Sequence, residues 1–156
     1  MTDPAVALAD VRSRIAQAAR IAQREGEEVT LIAVSKTHEA PAILPLIEAG
    51  QRVFGENRVQ EAAAKWPALR EGCAEIELHL VGQLQSNKAD EAVALFDCIH
   101  SLDRPSLVTA LAKAFDKIGR QVPCFIQVDI GEEEQKGGCP ITDVPALLAQ
   151  ARGDFF

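Results

Sequence analysis

The chain has 156 residues, 47% of them apolar and 25% charged, which is enough for one domain with a real hydrophobic core. Its net charge of −7 argues against a nucleic acid or an anionic membrane as the main partner. No stretch approaches the roughly 20 apolar residues of a membrane span, and the N-terminus does not resemble a signal peptide. The four cysteines show neither a CxxC motif nor metal-type spacing, which indicates reduced thiols in a cytoplasmic protein.

A helix and a short strand open the chain. Asp3 is the predicted N-cap, Pro4 lies in the first turn, and apolar residues recur at helical spacing until Gly26. Residues 29–35 then form a predicted buried strand, and Lys36 follows at its carboxyl end. In a barrel of alternating strands and helices that end faces the active site, where an apolar environment favours the neutral, nucleophilic form of an amine. The alternative interpretation is a surface lysine at the end of a strand.

Strands and helices alternate strictly through the rest of the chain, and residues 1–156 are predicted to form one domain. Further strands are predicted at 52–55, 78–81, 98–102 and 124–130. Further helices are predicted at 41–50, 57–69, 87–96, 105–118 and 142–151, the last after a polar loop at 131–138. This alternation predicts an α/β fold with a parallel sheet and right-handed crossovers.

Two architectures fit five predicted strands. One is a complete, doubly wound open sheet, and the other is a (β/α)₈-type barrel that contains only about five of its eight strands. The chain has neither a GxGxxG fingerprint nor a Walker A loop, so the usual nucleotide-binding sheets gain no support.

Polar residues recur at the predicted strand ends, as expected for a site at the top of a barrel. The alternative is that Asn57, Asn87 and Asp103 only cap helices. His100 is interpreted as a core histidine. His79 is either a core histidine as well or, at an interior position, a residue below Lys36. Lys136 is either a second amine over the site or a solvated loop charge. The spacing of His, Cys and Asp predicts no metal site, and no serine–histidine–aspartate arrangement is present.

Three motifs occur in order and are specific in combination: Ala33-Val34-Ser35-Lys36-Thr37, Phe54-Gly55-Glu56-Asn57 and Gly82-Gln83-Leu84-Gln85-Ser86-Asn87-Lys88. Together with Lys136-Gly137-Gly138 they closely resemble the pyridoxal phosphate homeostasis protein family. The resemblance implies the barrel of the alanine racemase N-terminal domain. It also implies a non-enzymatic protein that holds pyridoxal 5′-phosphate as an aldimine on Lys36 and buffers this cofactor for apoenzymes that depend on it.

We therefore predict Lys36, Asn57 and His79 as cofactor-binding residues, with no catalytic residue and no metal ligand. The family continues through a sixth strand and a Ser- and Gly-rich, Arg-containing segment that holds the cofactor phosphate. Neither is present, so we expect weak cofactor retention. Relative to the eight-stranded barrel, the first and fifth predicted strands are left with unpaired edges, which predicts self-association. Five apolar residues are expected on the open inner face of the sheet: Val34, Phe54, Val81, Ile99 and Ile126.

Two enzymatic alternatives remain open at this point. An amino-acid racemase of the same barrel type requires a second acid/base residue and an added β-domain. A Schiff-base aldolase requires a carbonyl substrate and no bound cofactor.

Overall fold

The computed structural model describes residues 3–133 and 136–156. Within these residues the strands are β1 (Ala33–Val34), β2 (Val53–Glu56), β3 (Glu77–Leu80), β4 (Cys98–Leu102) and β5 (Cys124–Ile126). The α-helices are α1 (Pro4–Ile21), α2 (Ala40–Glu48), α3 (Val59–Gly72), α4 (Ala89–Leu95), α5 (Pro105–Ile118) and α6 (Val144–Phe155). Strand and helix alternate after α1, which confirms the predicted fold class.

The sheet topology decides between the two candidate architectures. The five strands are parallel and lie in the order β1-β2-β3-β4-β5, so every crossover moves one strand in the same direction. A doubly wound sheet reverses direction at a switch point, and this sheet has no reversal. Crossovers of one hand and one direction place their helices on one face, as in the wall of a (β/α)₈ barrel.

Local sequence signals define the helix ends where they are strongest. The Asp3 side chain accepts a hydrogen bond from the Ala5 N–H at 2.9 Å, and Pro4 is the first residue of α1, as predicted. Helix α5 begins at Pro105 and ends at Ile118, and the C-cap Gly119 has a φ of +76°, the left-handed conformation that glycine adopts without strain. In the described part of the chain, no helix is both long and apolar enough to cross a membrane.

The hydrophobic core lies between the sheet and the helices. Phe54, Leu78 and Ile99 are fully buried on the outer face of the sheet, and Phe54 packs against Trp66 of α3 with ring centroids 5.0 Å apart. The prediction that Phe54, Ile99 and Ile126 line the inner face is therefore wrong, since Ile126 also packs against this core. Side chains alternate along a strand, and these three fall on the helix side.

The inner face of the sheet carries Val34, which is 50% exposed, and Phe125, which is 58% exposed. The terminal strands are shorter than predicted: only Ala33–Val34 of the 29–35 segment and Cys124–Ile126 of the 124–130 segment form regular strands, and Val128 adds an isolated bridge to Cys139. Each of these strands has a ladder on one side only, so fewer hydrogen bonds hold its backbone extended.

Candidate functional site at the carboxyl end of the sheet

Lys36 lies in a tight turn directly after β1. The His38 N–H donates to the Ser35 carbonyl at 3.2 Å, which closes the turn around Lys36 and Thr37. Thr37 has a φ of +65°, a conformation that costs a β-branched residue on the order of 1–3 kcal/mol. The Lys36 side chain is exposed and joins no ion pair or hydrogen bond within residues 3–133 and 136–156. The expected loss of solvation at this amine is therefore absent from the described structure.

A buried ion pair holds this turn in place. The Lys65 ammonium of α3 lies 3.1 Å from Glu56 Oε1, with the Lys65 side chain 7% and the Glu56 side chain 0% exposed. Lys65 Nζ also donates to the carbonyls of Ser35 at 2.9 Å and His38 at 2.7 Å, the two residues that flank the turn. An ammonium group has three donors, and the third is accepted by Glu61 Oε1 at 3.4 Å.

The second oxygen of Glu56 completes this network. Trp66 Nε1 donates to Glu56 Oε2 at 3.1 Å, and the Ser35 hydroxyl donates to the same oxygen. Both hydrogen bonds therefore go to Glu56 Oε2, whereas Oε1 has no hydrogen-bond partner among the described residues and is stabilised by the Lys65 charge alone. The network connects β1, β2 and α3 directly beneath the Lys36 turn.

Glu61 provides a further contact to the turn from the first part of α3. Its Oε1 atom accepts the Thr37 backbone N–H, and it also lies 3.4 Å from Lys65 Nζ. The Thr37 N–H, more than any other group, holds the pKa of Glu61 below its usual range, and Lys65 acts in the same direction. Glu61 thus satisfies the N–H of the strained residue in the turn.

The sheet register places the three predicted cofactor-binding residues at one end of neighbouring strands. Val34, Gly55 and His79 pair in one row across β1, β2 and β3. Lys36 and Asn57 each follow this row by two residues, so His79 lies one step below them along the strands. The row is tight, since a Cβ on Gly55 would lie 3.0 Å from the Ile32 side chain.

Asn57 is fixed by close backbone packing rather than by a helix cap. A Cβ on Gly82 would lie 2.2 Å from the Asn57 carbonyl oxygen, so only glycine allows the loop after β3 to approach β2 this closely. Helix α3 begins later, with Arg58 in the N-cap position. The alternative that Asn57 only caps a helix is therefore wrong.

The other polar strand ends also form contacts between loops. The N-cap positions of α4 and α5 are Lys88 and Arg104, so Asn87 and Asp103 do not cap these helices. Asp103 accepts the Gly138 N–H at 3.0 Å, which ties the loop after β5 to the end of β4. Lys136 is exposed and pairs with Glu133 at 2.7 Å, as expected for a solvated loop charge.

His79 lies inside β3 and contacts His100 of β4. His79 Nδ1 and His100 Nε2 are 2.8 Å apart, and the rings tilt against each other with centroids 5.0 Å apart. Burial, and then the neighbouring His79, lower the pKa of His100 below 6.5, so its neutral form is favoured. His79 is 8% exposed, whereas His100 is half-buried.

Sequence reasoning missed Lys65 and Trp66, the two residues of α3 that hold Glu56. The only local signal was Glu61 four residues before Lys65, a spacing that places both on one helix face. Nothing in the linear sequence indicates that Lys65 reaches back to the carbonyls of Ser35 and His38. That contact exists because α3 packs over the ends of β1 and β2.

These features define a class: a parallel strand-helix barrel wall with a lysine turn at the carboxyl end of its first strand. Residues 6–154 match the family model described as the alanine racemase N-terminal domain, so the chain belongs to that family. It is 41% identical over 153 residues to the pyridoxal phosphate homeostasis protein of Escherichia coli strain K12. The alignment covers 96% of this chain and 64% of that relative.

Two solved structures of PipY from Synechococcus elongatus PCC7942 have the same fold. The structure without PLP is 41% identical with a TM-score of 0.84, and it covers 96% of this chain and 64% of that one. The structure with PLP bound is 42% identical with a TM-score of 0.74, and it covers 87% of this chain and 63% of that one. The chain thus spans slightly less than two thirds of the length of these relatives.

Proposed function

We propose that this protein is a non-enzymatic pyridoxal 5′-phosphate-binding protein of cofactor homeostasis, which holds the cofactor covalently through Lys36. The observation that carries the proposal is the turn after β1. The Lys36 amine is exposed, and the turn that carries it puts Thr37 in an unfavourable backbone conformation. The buried ion pair of Lys65 and Glu56 holds this turn in place. Strain that the surrounding structure fixes in place is typical of functional sites.

The chemistry of Lys36 suits an aldehyde ligand. Bound pyridoxal phosphate would supply an electrophilic aldehyde, and Lys36 would supply the amine that condenses with it with loss of water. Since the Lys36 amine has no carboxylate partner in the described structure, no ion pair has to break first. The turn fixes the lysine backbone, so only side-chain freedom is lost on binding.

Asn57 and His79 complete the proposed site from the neighbouring strands. Asn57 follows β2 at the same level as Lys36, and its amide can both donate and accept hydrogen bonds. His79 lies one step deeper on the inner face. The names of the relatives support this assignment, since they describe pyridoxal phosphate homeostasis and a PLP-bound structure.

The test is to map the covalent adduct. The protein is incubated with pyridoxal phosphate, reduced with borohydride and digested, and the modified lysine is located by mass spectrometry. We expect the adduct on Lys36 and its loss in Lys36→Ala. The matched control variants are Lys88→Ala and Lys136→Ala, which remove the other lysines near the strand ends. An adduct concentrated on Lys88 or Lys136 contradicts the assignment.

A non-enzymatic role is tested separately. The purified protein loaded with pyridoxal phosphate is assayed for alanine racemisation, and we expect no turnover above that of free cofactor. Racemisation that depends on Lys36 would instead indicate an amino-acid racemase. A covalent adduct with a carbonyl substrate in the absence of cofactor would indicate an aldolase. We further propose an intracellular role in which cofactor-dependent apoenzymes receive pyridoxal phosphate, tested by transfer to an added apoenzyme.

A further inference from the structure

A second cluster of reactive side chains lies on the inner face of the sheet below the lysine turn, and it shares His79 with the proposed cofactor site. His79 of β3 pairs directly with Cys98 of β4, and His100 lies two residues after Cys98 on the same face. One ring nitrogen of each histidine and the Cys98 sulfur all lie within 4.8 Å of one another. We propose that His79, Cys98 and His100 bind one Zn²⁺ ion, or another borderline-soft divalent cation, through two nitrogens and one thiolate.

The geometry needs only small side-chain adjustments to hold a metal. Tetrahedral Zn²⁺ with bonds of about 2.0–2.3 Å separates its ligand atoms by about 3.3–3.7 Å. The two histidine nitrogens are now 2.8 Å apart, and the sulfur is no farther than 4.8 Å from either ligand nitrogen. The distance between the two nitrogens has to widen by about half an ångström, and the sulfur has to move closer by at most about one, which side-chain rotation achieves.

The surroundings of His79 also suit a metal ligand. Its Nδ1 atom faces His100, whereas Nε2 is buried and has no hydrogen-bond partner among the described residues. Glu77 Oε2 lies 3.4 Å from that Nε2 atom. Histidine ligands usually donate their second ring N–H to a carboxylate, which fixes the tautomer. A small closing movement of Glu77 therefore satisfies the orphaned atom and leaves Nδ1 free to bind the metal.

The chemistry of the donor set selects the metal. Nitrogen and sulfur ligands favour Zn²⁺ over Mg²⁺ or Ca²⁺, which prefer oxygen. The Cys98 thiol gives up its proton to solvent when it binds, and the two imidazoles bind in their neutral form. The three side chains leave the fourth position to water, as in zinc sites with three protein ligands.

Co²⁺ serves as a spectroscopic probe of this site. Titration of the full chain should saturate at one Co²⁺ per chain, with a sulfur-to-cobalt charge-transfer band and intense visible bands typical of tetrahedral coordination. Zn²⁺ should displace the probe. Cys98→Ala should abolish the charge-transfer band, and His100→Gln should weaken Co²⁺ binding at least tenfold. Glu77→Gln should weaken it roughly ten- to a hundredfold.

The chain offers matched controls for each ligand type. His38 is the remaining histidine and Cys73 is a partly exposed cysteine outside the cluster, so His38→Gln and Cys73→Ala should bind Co²⁺ as the wild type does. Lys36→Ala should also bind normally, which separates this site from cofactor capture. Trp66 fluorescence shows whether Cys98→Ala is folded. If it is not, Co²⁺ binding by His100→Gln, a substitution at a half-exposed position, tests the proposal instead. Binding without a sulfur band, or unchanged in His100→Gln, overturns the proposal.

Discussion

Replacement of Lys65 by methionine tests the ion pair that holds the lysine turn. Methionine preserves most of the buried aliphatic volume but removes the charge and all three donors. Glu56, which is 0% exposed, then keeps its hydrogen bonds from Ser35 and Trp66 but has no opposing charge. Breaking one side of a buried pair costs about 3–5 kcal/mol of unfolding free energy. For a chain of this length that corresponds to a fall of about 6–20 °C in Tm.

Thermal and urea unfolding, followed by circular dichroism, measure this loss. The matched control is Lys117→Met. Lys117 also forms a short ion pair, 2.7 Å from Asp90, but both side chains are largely exposed, so we expect no measurable change. The double variant Lys65→Met with Glu56→Gln leaves no unpaired charge and should recover more than half of the loss.

The same variant separates stability from positioning. At a temperature where Lys65→Met is still folded, the carbonyls of Ser35 and His38 lack their shared donor, so the Lys36 turn is less fixed. We expect slower adduct formation at Lys36 even in this folded state. The reasoning is refuted if Lys65→Met loses less than about 1 kcal/mol, the value for an exposed pair, or if the double variant is no more stable than the single one.

Three further predictions concern pH, thiol reactivity and association. The pKa of Glu61 is lower in the folded chain than in the unfolded chain, so as pH falls the unfolded chain binds a proton before the folded chain does. The free energy of unfolding should therefore decrease as pH drops from about 4.5 through the folded pKa. Glu61→Gln should flatten this decline in pH-dependent unfolding, and Glu71→Gln on the same helix should not. Burial raises the pKa of Cys124 to about 12. Iodoacetamide added to the folded protein at pH 8 should therefore label Cys73 well before Cys124, as located by peptide mass spectrometry, and equal labelling contradicts this. The exposed Phe125 predicts self-association at micromolar concentration in sedimentation, reduced in Phe125→Glu, and a wild-type monomer would contradict it.

The sequence determined the elements whose signals are local. Strand 98–102 and helix 105–118 have the predicted bounds, because an apolar run ends at polar residues and a proline and a glycine mark the helix ends. The position of Lys36 after the first strand follows from the same reasoning. The strict alternation of strands and helices was enough to predict a parallel sheet.

Only the tertiary structure decided which face each side chain occupies and which distant residues meet. Phe54 and Ile99 face the helices, and the prediction failed there because an apolar residue in a parallel strand is buried on either face of the sheet. Lys65 reaches the Lys36 turn across 30 positions of sequence, and His79 meets His100 across 21. Such contacts depend on strand register and helix packing, which no local spacing encodes.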